Sequence, residues 1–171
     1  MKYSTLCMAI LLCATLMAQG DKSPDWRAAT QTELRDLIPA RAPVEKEHIE
    51  TEFASASGIT DGKGKYIAGV VLITAGYAAE GKYSDFFIAQ TAIEVGGLSL
   101  APGEYVFGWR RKDDDNLEVK FYEASSGKLL GAVEAHRVSR SGRIESFRIS
   151  PPTEKAMIQI GRFGMHYKLS G

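Results

Sequence analysis

Residues 100–123, LAPGEYVFGWRRKDDDNLEVKFYE, decide the fold. Tyr105, Phe107 and Trp109 occupy every second position, and so do Leu117, Val119 and Phe121. That period of two is the signature of a strand with one buried face. The strands expected here are Glu104 to Arg110 and Asn116 to Glu123, with Asp113-Asp114-Asp115 as turn residues in the Arg110-to-Asn116 loop between them. Two alternating runs joined by so short a loop predict an antiparallel hairpin whose aromatic side is buried.

The same pattern extends in both directions. Asp61-Gly62-Lys63-Gly64 is a turn signal, and Tyr66 to Ala75 is β-branched and apolar enough for a buried strand. Further strands are expected over Asp85 to Val95, Lys128 to Val138, Arg143 to Ile149, Ala156 to Gly161 and Met165 to Leu169. Turn residues separate them: Gly96-Gly97, Ser125-Ser126-Gly127, Ser141-Gly142, Pro151-Pro152 and Gly164. Short strands joined by tight turns pair with their neighbours. Residues 61–171 are therefore expected to form an all-β domain, an antiparallel barrel or sandwich of about eight strands, mostly a meander.

Residues 21–60 read differently, as a helical or irregular segment. Ser23 with Pro24 can start a helix, Trp26, Thr30, Leu34, Leu37 and Ile38 fall near one face, and Pro39 stops the run. Trp26 and Leu34 are expected to hold this helix on the barrel surface or across one open end. The charged stretch Arg41 to Glu52 has only Val44, Ile49 and the adjoining Phe53 to bury, which suits either a short helix or a strand-like arm.

Residues 1–20 have the layout of a secretory leader: Lys2 at the start, an apolar run from Leu6 to Met17, and Ala18-Gln19-Gly20 before Asp21. The run is too short to anchor the chain across a bilayer, so the protein is expected in the periplasm or outside the cell. Cys7 and Cys13, the two cysteines, lie in this leader, so the mature chain has neither disulfide nor thiol ligand. The 21 Lys+Arg balance 21 Asp+Glu, and removal of Lys2 barely changes that. No bulk charge draws the chain to nucleic acid. The C-terminal part from His136 is nonetheless basic, with seven cations against two acids.

No catalytic or cofactor motif survives inspection. Gly76-Tyr77-Ala78-Ala79-Glu80-Gly81-Lys82 has the glycine spacing of a phosphate loop, but Tyr83 stands where a magnesium-binding hydroxyl is required, and a strand follows instead of a helix. Asp113-Asp114-Asp115-Asn116 lacks the glycine and trailing glutamate of a calcium loop. His48, His136 and His166 are scattered outside any zinc spacing. No G-x-S-x-G nucleophile elbow is present. Neither a cofactor nor a metal is expected, and no catalytic residue is assigned.

Leu100-Ala101-Pro102-Gly103-Glu104-Tyr105 resembles the L-x-P-G-x-Y turn of exported bacterial β-domains, including transthyretin-like and carboxypeptidase-regulatory-like modules. More broadly, Ile93 to Ala135 resembles small secreted β-domains of soil bacteria with no assigned function. The resemblance implies a β-fold and brings no catalytic pattern with it.

The expected function is that of an exported, non-catalytic binding or envelope-associated module. A secreted polymer hydrolase working through two carboxylates and a small-molecule-binding barrel are the alternatives. Arg137, Arg140, Arg143 and Arg148 straddle an expected hairpin with its tip at Ser139 to Gly142. With Tyr105 and Trp109 they are the candidate ligand-binding residues, and grouped guanidinium groups favour an anionic envelope component.

Overall fold

The computed structural model describes residues 25–74, 76–77, 80–138 and 144–169. The expected leader, residues 1–20, and the expected helix start at Ser23 and Pro24 lie outside that range. The fold is all-β with one helix, in the order β1 (Arg27–Ala28), α1 (Gln31–Leu37), β2 (Arg41–Val44), β3 (Glu47–Thr60), β4 (Tyr66–Leu72), β5 (Asp85–Ala89), β6 (Ile93–Val95), β7 (Leu98–Leu100), β8 (Gly103–Arg111), β9 (Asn116–Glu123), β10 (Leu129–Arg137), β11 (Glu145–Ser150), β12 (Met157–Gly161) and β13 (Phe163–Leu169).

The expected hairpin is β8 and β9, in register Tyr105↔Glu123, Phe107↔Phe121, Trp109↔Val119 and Arg111↔Leu117. Its turn is closed by Asp113, whose Oδ1 accepts the Asp115 amide at 2.8 Å and the Asn116 side-chain amide at 2.9 Å. Leu117, Val119 and Phe121 are buried, as are Tyr105 and Phe107, whereas Trp109 is 39% exposed at the end of its strand. The aromatic face is buried only as far as Phe107.

The antiparallel sheet runs β3-β4-β5-β8-β9-β10-β13-β12-β11 and nearly closes into a barrel where β11 returns to β3. Two features correct the expected meander of about eight strands. The Asp85 to Val95 run breaks at Gln90 to Ala92, because β6 leaves the barrel wall to pair with β13, and β7 folds back on it through Gly96 and Gly97. Among the described residues, the segment 21–60 contributes three strands, including the longest one, besides a helix much shorter than expected. The helix starts only at Gln31. Thr30 caps it, in a box with Glu33, and Arg27 with Thr30 holds the Glu33 carboxyl down at about 2. Trp26 lies before this helix and packs with the barrel core, so Leu34 alone of the expected pair is a helix contact.

Aromatic rings pack together in the barrel interior. Phe107 packs against Phe121 at 4.9 Å between ring centroids, Phe147 at 6.2 Å and Phe87 at 6.4 Å. Aliphatic side chains from β6, β9, β10, β12 and β13 complete this cluster. A second apolar cluster lies on the outer face of β4, β5 and β8, beneath α1 and the β2–β3 hairpin. That hairpin is pinned by Glu45, whose carboxylate accepts from the Tyr83 hydroxyl and faces Lys82 at 3.6 Å.

Among the described residues, one carboxyl group is caught in this packing. Asp85 lies between Val71 of β4 and Phe107 of β8, 2% exposed, and burial alone pushes its carboxyl well above the usual carboxylate range. The folded state therefore holds a proton that the unfolded chain releases near pH 4, and stability falls as pH rises from there through the folded-state pKa. Asp85→Asn removes this proton linkage. Urea titrations of both proteins at pH 4 and pH 7 are expected to show the variant gaining on the wild type as pH rises; a gap independent of pH would contradict the assignment.

Candidate functional site

Among the described residues, each neighbouring pair of strands along the barrel path shares ladder pairing, if only at His136 and Arg137 between β10 and β13, whereas β11 and β3 share none. On the edge of β3 away from β4, β2 pairs with Glu47 to Glu50 and β1 with Ile59 and Thr60. The intervening stretch of β3 has no strand on that side and faces β11. The cause lies in the run Ala54-Ser55-Ala56-Ser57-Gly58. Between Glu52 and Ser57, β3 advances five positions while β4 advances two, which is a large bulge. Serine hydroxyls replace the missing backbone bonds. Ser55 Oγ accepts the Val71 amide at 2.9 Å and donates to the Glu52 carbonyl at 2.7 Å. Ser57 Oγ accepts the Ile149 amide of β11 at 2.9 Å.

Outside this seam is a groove of about 550 Å³. One wall is the start of α1 with Ala28, Ala29 and Gln31; the other is β11 from Ile144 to Ile149, with Pro151 and Glu154 beyond it. The helix wall comes close because residue 58 is glycine: a Cβ there would stand 2.8 Å from the Ala68 Cβ and 2.9 Å from Leu34 Cδ2. Among the described residues, the charged groups of the groove are Glu52, Glu145, Glu154 and Arg148. Arg148 lies 3.7 Å from Glu145 and 3.5 Å from Glu154, all three partly exposed. Three carboxylates against one guanidinium make the groove negative. Ile144, 54% exposed, supplies an apolar lip.

Among the described residues, strand pairing does not bring together Arg137 and Arg148, two of the residues expected to form a site. The Arg137-to-Arg148 hairpin is absent, because β10 is flanked by β9 and β13, and β11 pairs with β12. The physical reason is the tight turn between β12 and β13, which brings β13 back to β10 and leaves β11 outermost. Arg137 binds the Asp114 carbonyl and Asp115 Oδ1, each at 2.9 Å, and stacks over Phe163 at 5.5 Å. Arg140 and Arg143 lie outside the described residues. Tyr105 is buried with its hydroxyl donating to the Ala101 carbonyl, so it locks the L-x-P-G-x-Y turn. Trp109 stands exposed at the rim that Arg111 shares with Phe163, the two stacked at 5.6 Å.

Sequence reasoning passed over the seam. The available signal was the Ala-Ser-Ala-Ser-Gly run itself, where side chains too small to fill a sheet face alternate with hydroxyls that compete for backbone bonds. Among the described residues no three His, Cys, Asp or Glu gather as a metal-ligand group, and no helix is long and apolar enough to cross a membrane. No family model matches the chain, and no curated protein or solved structure matches it.

Proposed function

We propose that the protein is an exported, non-catalytic binding module that recognises its partner on the outside of the barrel, in the groove along the β3–β11 seam. The observation that carries this reading is the contrast between interior and surface. Aromatic rings occupy the barrel centre, which favours surface recognition over a ligand held in the lumen. Binding is favoured over acid–base catalysis because two of the three groove carboxylates are engaged by the same guanidinium.

The charge of the groove also redirects the ligand class. A site with Glu52, Glu145 and Glu154 against Arg148 repels an anion and favours cationic or hydroxyl-rich partners. The test is a set of amide spectra of the mature protein recorded with soluble and envelope fractions of the producing cells. Shifts confined to residues 28–31, 54–58 and 144–149 are expected, without turnover of any component. Shifts centred on Phe87, Phe107 and Phe121 would place the ligand in the lumen, and appearance of cleavage products would favour a hydrolase.

A further inference from the structure

Resting on that reading of the groove, we infer that the seam is a strand-addition site that takes an extended peptide of alternating apolar and basic residues, hydrogen-bonded along β11.

The backbone supplies the first argument. In an antiparallel ladder the amide and carbonyl of successive residues point alternately to the two sides. The Ile149 amide points away from β12 to Ser57, so by alternation the amide and carbonyl of Phe147 point into the seam as well. No strand takes them up among the described residues. An unpaired strand edge is a template for another extended chain.

The second argument is the ease of opening. A further strand between β3 and β11 requires them to part by about 4.8 Å. The hydrogen bond that the described residues form across the seam is the single one from Ile149 to Ser57. The β3 side of the seam, Ala54 to Gly58, carries only small side chains.

Charge and periodicity select the occupant. Side chains of an added strand point alternately inward, to the level of Phe147 and Ile149 in the core, and outward. Outward positions meet Glu52, Glu145 and Glu154, of which Arg148 neutralises only part. Apolar inward and lysine or arginine outward satisfies both faces.

The probe is a synthetic peptide alternating valine and lysine over the length of β11, with a valine–glutamate peptide as its counterpart. On adding the lysine peptide, the Phe147 amide and the amides of residues 54–58 are expected to exchange about tenfold more slowly. The glutamate peptide is expected to bind at least about tenfold more weakly, since its charges face like charges. Ser57→Ala removes the seam bond without altering the core, so it is expected to tighten binding severalfold. Equal affinity for the two peptides, unchanged exchange at the seam, or weaker binding by a folded Ser57→Ala protein would each overturn the inference. So would seam protection accompanied by doubled mass in the absence of peptide, which would assign the edge to a second copy. If these results fail while cell fractions still shift residues 54–58 and 144–149, the peptide assignment falls and the groove's binding role stands; if both fail, both fall.

Discussion

Phe107→Ala is expected to lower the stability of the fold by about 4 kcal/mol. Phe107 is fully buried and packs against Phe87, Phe121 and Phe147, so it joins β5, β8, β9 and β11 at one point. Truncation removes the transfer free energy of the ring and leaves a void whose walls belong to four different strands. They cannot all collapse into it. For a domain of this size the loss corresponds to a fall in Tm of roughly 10 °C. Urea unfolding should show a lower midpoint with an unchanged slope, because the surface exposed on unfolding is the same. A loss below about 1 kcal/mol would mean that this cluster is not the centre of the barrel.

Gly108→Ala, one residue further along the same strand, is expected to cost about 3 kcal/mol by the opposite mechanism. A Cβ at residue 108 would stand 2.4 Å from the carbonyl oxygens of both Gly81 and Lys82. These are backbone atoms, and the segment carrying them is tied to β8. The Ser84 amide donates to the Phe107 carbonyl at 2.8 Å, and Arg110 Nε donates to the Glu80 carbonyl at 2.9 Å. The added methyl can be accommodated only by breaking those ties. Gly76→Ala is the control: among the described residues nothing lies within 4 Å of a Cβ placed there, and it should change stability by less than about 0.5 kcal/mol. Thermal unfolding of the two variants side by side checks the contrast; similar behaviour would contradict the close approach at Gly108.

The strands after Thr60 were legible because their buried and exposed faces alternate. Asn116 to Glu123 is read with the same limits in sequence and structure, since Leu117, Val119 and Phe121 face the core while Glu118 and Lys120 reach water. Glu47 to Thr60 was not legible. Its first four residues pair with β2 outside the barrel wall, and its middle bulges away from β4, so no single face carries an apolar series. Its strand character comes from the chains beside it, which local pattern does not contain.

The candidate site divides in the same way. Arg137, Arg148, Tyr105 and Trp109, among the residues picked out in sequence, are surface or turn features, but the guanidinium groups were joined by assuming that consecutive strands pair. The groove depends on Ser57 meeting Ile149, 92 positions apart.

From its residues alone, then, this chain determines an antiparallel all-β domain and the Tyr105-to-Phe121 hairpin, because side-chain alternation and turn chemistry act over a few neighbouring positions. Tertiary structure alone decided that β13 lies beside β10, that β11 ends against β3, and that the wall there is closed by a serine hydroxyl instead of a ladder. Strand order is settled by which apolar faces fill a common core, and that competition is among segments far apart in the chain.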